Sequence, residues 1–147
     1  MGTWDIGPFD NDTAADFCGR LDDTAAATRA DVIREVLSCV TATTTSDFLD
    51  SYEAEKAVAA AALIAAQCPG GDPARSAYGP EQALPDLTGL RELARQALDR
   101  VLTEPSELLE LWEEGDSGPW RASIRGIQAV IGPEAPAVAP RAPGDPR

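Results

Sequence analysis

The stretch SYEAEKAVAAAALIAAQC, Ser51 to Cys68, constrains the fold more than any other part of the chain. After Lys56 nearly every residue is apolar and most are small, a composition that favours helix and lets neighbouring backbones approach closely. The uninterrupted apolar run, Ala57 to Ala66, is far shorter than the roughly 20 residues needed to span a bilayer. This helix is therefore expected at the centre of a helical core, and Asp50 with Glu53 forms a capping box at its start.

The neighbouring segments read as partners for that axis. Asp12 ahead of TAADF predicts an N-cap and a short helix to about Leu21, broken by Asp22 and Asp23. Asp23 or Thr24 then caps a second helix reaching about Val40, with Val32, Ile33, Val36, Leu37 and Val40 on one face and Arg29, Asp31, Arg34 and Glu35 on the other. The hydroxylated run from Thr41 lacks apolar alternation and reads as a loop.

Residues 69–85 hold four prolines and three glycines and predict a long loop. A fourth helix from about Asp86 to Thr103 carries Leu87, Leu90, Ala94, Ala97 and Val101 on one face, with Glu92, Arg95 and Asp99 at contact spacing outside. Pro105 suits the first turn of a fifth helix, capped by Thr103 or Glu104 and ending at Gly115. Trp120, Ile124, Ile127 and Ile131 then mark the buried stripe of a sixth helix, in which Gly126 suggests a close crossing. The expected fold is all-α, a single-domain helical bundle of about five to six helices over residues 1–131, with an extended N-terminal segment. Residues 132–147, rich in proline and alanine, are expected as a disordered tail.

Charge limits the partners. Twenty-five acidic against twelve basic residues give a net charge of −13. Such a field repels phosphate backbones and anionic headgroups, which argues against nucleic acid and membrane surfaces and leaves a basic protein as the complementary partner. Cys18, Cys39 and Cys68 are odd in number and widely spaced, so neither a disulfide framework nor a zinc site is suggested. Asp5 and Asp10 interrupt any signal-peptide-like apolar run, and a cytoplasmic location is expected.

The opening stretch WDIGPFDNDTAADF carries a resemblance. Trp4, Gly7, Phe9, Asn11, Asp12 and Phe17 are similar in spacing to the N-terminal signature of the family catalogued as domain of unknown function 4259. LLELWEEGDSGPW resembles that family's second block through Leu108, Leu111, Trp112 and Trp120. Asp5 stands where members often have glycine, and Phe17 where tryptophan is frequent. The family carries no established activity, so the resemblance implies a fold more than a function.

Two groups of residues are candidate sites. Between Val101 and Trp120 lie six acidic residues and no basic one; Glu107, Glu110, Glu113 and Glu114 form the expected partner-binding face. Glu107, Glu110 and Glu114 share one side of the helix, at a self-repulsion of a few tenths of a kcal/mol per pair. The second group is a possible ligand pocket between the N-terminal segment and the alanine-rich helix, using Trp4, Asp10, Asp12, Tyr52 and Glu53. Asp10, Asn11 and Asp12 are oxygen donors of the kind hard cations take, but no EF-hand loop surrounds them.

The chain has no histidine, which removes the commonest general base, the Ser-His-Asp and Cys-His arrangements, and the Glu-x-x-His pairs of di-iron sites. No catalytic residue, metal site or cofactor is assigned, and no glycine-rich phosphate loop is present. A carboxylate, Lys56, Tyr52 or a cysteine could still do chemistry if desolvated, and Tyr52, Glu53 and Lys56, clustered at the entrance to the alanine-rich helix, are the trio to examine for it. The expected function is a non-enzymatic cytoplasmic protein of immunity or antitoxin-like character, its acidic face engaging a basic protein. The alternative is an enzyme or small-molecule binder using the pocket.

Overall fold

The computed structural model describes residues 12–68 and 84–132. Among these residues six α-helices succeed one another: α1 Asp12–Asp23, α2 Arg29–Ala42, α3 Ser51–Ala65, α4 Arg91–Val101, α5 Glu107–Glu113 and α6 Gly118–Ile131. Helix α3 packs against each of the other five. No strand occurs among the described residues; an isolated parallel bridge joins Leu49 to Ser106.

The alanines explain why one helix has so many neighbours. Ala54, Ala57, Ala59, Ala60 and Ala61 are fully buried, and each presents only a methyl group, so surrounding helices approach from several sides at once. The larger apolar side chains come mainly from those partners: Leu21, Ile33, Leu37, Leu98 and Ile124 are buried around Leu63 and Ile64 of α3 in one continuous core. Each such burial contributes about 1.5–3 kcal/mol relative to exposure. The all-α, single-domain reading is correct, and α3 is its axis.

Cap chemistry sets several boundaries. The Asp50 side chain accepts from the Glu53 amide at 2.9 Å, one half of the expected capping box; the Glu53 carboxylate turns instead to Lys56. Helix α5 is capped by Ser106, whose hydroxyl accepts the Leu109 amide, not by Thr103 or Glu104, and Pro105 lies outside the helix. Gly132 stops α6 with φ of 114°, a conformation that side chains resist.

Other expected boundaries shift. Helix α1 runs through Asp22 and Asp23, and a 3-10 turn, Ala26–Thr28, separates it from α2. Neither Asp23 nor Thr24 caps α2: its N-cap is Thr28, without a side-chain cap bond, while the Thr24 hydroxyl donates to the Arg20 carbonyl. Helix α2 extends through Thr41 and Ala42, so the loop starts at Thr43. Ahead of α4, Thr88–Leu90 form a 3-10 turn held by the Asp86 carboxylate, which accepts from the Thr88 amide and hydroxyl. The chain around Gly126 does not cross a neighbour closely, since a methyl there would meet open space. The N-terminal segment, most of the proline-rich loop and the C-terminal tail lie outside the described residues.

Two arginines expected or left outside the core are inside it. Arg29, placed by periodicity on the outer face of α2, is 9 % exposed and donates to the carbonyls of Leu21 and Thr24, which fastens α2 to the end of α1. Arg100 of α4 donates to five carbonyls, those of Thr43, Thr44, Asp47, Thr103 and Pro105. A guanidinium has five N–H donors in a planar fork, and here it ties the α2–α3 loop to the α4–α5 connection.

Candidate functional site

A groove of about 290 Å³ opens between α1 and the first turns of α3, lined by Thr13, Asp16, Phe17, Arg20, Tyr52 and Lys56. Thr13, Asp16, Phe17 and Arg20 follow at i, i+3, i+4 and i+7, so the helical repeat alone puts them on one face of α1. Tyr52 and Lys56, four residues apart on α3, form the facing wall. Phe17 is buried at 2 %, whereas Tyr52 is 68 % exposed; among the described residues Phe48 is the other large apolar side chain so placed.

The groove adjoins the expected pocket but uses different residues. Tyr52 lines it. Glu53 sits beside it, and its carboxylate accepts from Lys56 Nζ at 3.3 Å. Asp12 is exposed at the first position of α1, and Trp4 and Asp10 lie outside the described residues. Thr13, Asp16 and Arg20 are not among the residues expected for the pocket; their i, i+3, i+7 spacing, with Phe17 on the same face, is the sequence signal that marks them.

The trio Tyr52, Glu53 and Lys56 is joined by Cys39. Partial burial pushes the Cys39 thiol above its ordinary range, and the Glu53 carboxylate beside it, which bonds to the thiol, adds to the shift. The arrangement favours the thiol over the thiolate and so works against nucleophilic attack. Cys18 is fully inside the core, where burial, with a smaller effect from Asp22, pushes its thiol up to about 12. Among the described residues no group of His, Cys, Asp or Glu converges to hold a metal ion. No described helix is long and apolar enough to cross a membrane.

The acidic cluster divides by role. The Glu107 carboxylate accepts the Ser51 amide at 2.8 Å and so closes the N-terminus of α3. Glu113 forms an ion pair with Arg121 of α6. Glu110 and Glu114 are exposed, one turn apart, and have no ion partner among the described residues. Glu104 and Asp116 are exposed at the two ends of the same segment, and Asp116 accepts the Gly118 amide at 3.0 Å. Beneath this surface Trp112 stacks on Trp120, ring centroids 5.8 Å apart and planes 9° from parallel, which anchors α5 on α6.

The family model described as Domain of unknown function (DUF4259) matches residues 2–123 of the chain. No curated protein and no solved structure matches it.

Proposed function

The chain belongs to the domain of unknown function 4259 family, and from that premise we propose that it is a non-enzymatic cytoplasmic binding protein whose acidic face engages a basic protein surface, in the manner of an immunity or antitoxin-like inhibitor. The observation that carries this reading is the pair Glu110 and Glu114, exposed one turn apart without an ion partner among the described residues, in a chain of net charge −13. Like charges at this spacing cost a few tenths of a kcal/mol, and a basic partner removes that cost on docking. Glu113 borders the pair, while Glu107 supports it by anchoring α5 to α3.

The test compares the tagged wild type with the double variant Glu110→Lys, Glu114→Lys in affinity capture at low and high salt. The expected result is a basic protein held by the wild type at low salt, released at high salt, and not held by the variant. Equal capture by both proteins removes the acidic face from consideration. Glu107 is left intact, since its loss would disturb α3 itself.

A second reading, a small-molecule binder, is favoured by the α1–α3 groove. Its size lies at the lower end of ligand pockets, and it combines an aromatic wall with charged side chains. A metabolite that raises the unfolding temperature of the wild type, and loses that effect in Tyr52→Ala, would support it.

A further inference from the structure

We propose that the α1–α3 groove binds a small zwitterion of the free α-amino-acid class, one with an apolar side group; the inference rests on the second reading above. Its basis is the charge arrangement on the α1 wall. Asp16 and Arg20 are four residues apart on one helical face, a spacing at which a carboxylate and a guanidinium readily pair. They do not pair here: both are exposed, both line the groove, and neither has an ion partner among the described residues. On the facing wall Lys56 is held by Glu53 at 3.3 Å. Among the described residues the groove therefore offers one charge of each sign without an ion partner, both on the same face of α1.

The complement of that pattern is a molecule carrying an anion and a cation a few bonds apart. The Arg20 guanidinium matches an α-carboxylate, which it can hold through two parallel N–H donors. The Asp16 carboxylate matches an α-ammonium, and the Thr13 hydroxyl adds a donor or acceptor beside them. Tyr52, 68 % exposed, supplies an aromatic surface for an apolar side group, with the buried Phe17 ring beneath the groove. A plain anion would face Asp16 uncompensated, in a protein already strongly negative, and a plain cation would face Arg20. A groove of about 290 Å³ suits a single amino acid better than a nucleotide or a peptide.

The experiment is calorimetric titration of the full chain with L-phenylalanine, L-leucine and L-methionine, and with two truncated probes, 3-phenylpropionate and phenethylamine. The expected result is binding of at least one amino acid, with the probe lacking either charge weakened about tenfold or more. Arg20→Gln should weaken the amino acid by a similar factor and leave phenethylamine unaffected, while Asp16→Asn should do the converse with 3-phenylpropionate. Both positions are exposed, so unchanged unfolding curves establish that the variants remain folded. Binding of 3-phenylpropionate as tight as that of phenylalanine, or no heat from any amino acid at millimolar concentration, overturns the inference. In that event a different metabolite that stabilises the wild type but not Tyr52→Ala leaves the pocket reading standing, whereas no stabilising metabolite at all removes both.

Discussion

The Glu107 carboxylate accepts the backbone amide of Ser51, 56 residues away in sequence, at a distance of 2.8 Å. The first amide of α3 has no partner within its own helix, and the negative charge also complements the positive end of the helix dipole. The same joint is doubled by backbone bonds: Leu49 donates to the Pro105 carbonyl at 3.2 Å, and Glu107 donates to the Leu49 carbonyl at 2.8 Å. A residue that composition marks as one of six surface acids is thus the clasp between α5 and the central helix.

Substitution at this clasp should separate support from recognition. Glu107→Ala is expected to destabilise the fold by about 1–2 kcal/mol, the range for losing a helix-end acceptor. Glu107→Gln keeps a carbonyl oxygen at the same reach and should recover roughly half of that loss. Urea denaturation followed by far-UV circular dichroism measures both. Equal losses for Ala and Gln would show that the charge, and not the hydrogen bond, is what matters.

Arg100 should be among the least replaceable side chains. Truncation to alanine leaves five carbonyls of two loops without their common donor, at an expected cost of about 2–4 kcal/mol. Arg100→Lys restores the charge without the planar fork and should rescue little of it. Full rescue by lysine, read from chemical denaturation midpoints, would contradict a role based on guanidinium geometry.

The stacked indoles give a spectroscopic prediction. Trp120 is buried, so Trp120→Ala should cost about 3–5 kcal/mol. Trp112 is only partly buried, and Trp112→Phe should cost much less while abolishing the near-ultraviolet circular dichroism of the indole pair. An unchanged near-ultraviolet spectrum in Trp112→Phe would mean that the rings are not stacked in solution.

Cys18 predicts a loss of stability in alkali. Its thiol titrates at about 12 when buried, against an ordinary value of 9.0. Between those values the folded chain holds a proton that the unfolded chain releases. The contribution is therefore complete below pH 9 and is lost as pH rises towards 12, at up to about 1.4 kcal/mol per pH unit. Denaturation of wild type and Cys18→Ala at several values above pH 9 should show a steeper decline in the wild type. Parallel slopes would show that Cys18 does not contribute.

Much of the architecture is local and was legible as such. The stripes on α2, α4 and α6 follow from the 3.6-residue repeat, and the cap at Asp50 is a three-residue relationship within one turn. The Ala-rich run marks the central helix because only small side chains permit neighbours on every side. Charge, the absence of histidine and the family match over residues 2–123 likewise belong to the sequence alone.

Tertiary structure decided what each polar side chain does. Periodicity assigned Arg29 to solvent, left Arg100 unremarked and treated Glu107 like Glu110. The first two are buried and the third is tied to α3, because each meets backbone groups that helix ends and loops leave unsatisfied. Those carbonyls and amides are alike in every sequence, and which arginine or glutamate reaches them depends on where distant segments meet. The groove has the same origin: the sequence aligned Thr13, Asp16, Phe17 and Arg20 along α1, and only the packing of α1 on α3 set Tyr52 and Lys56 opposite them.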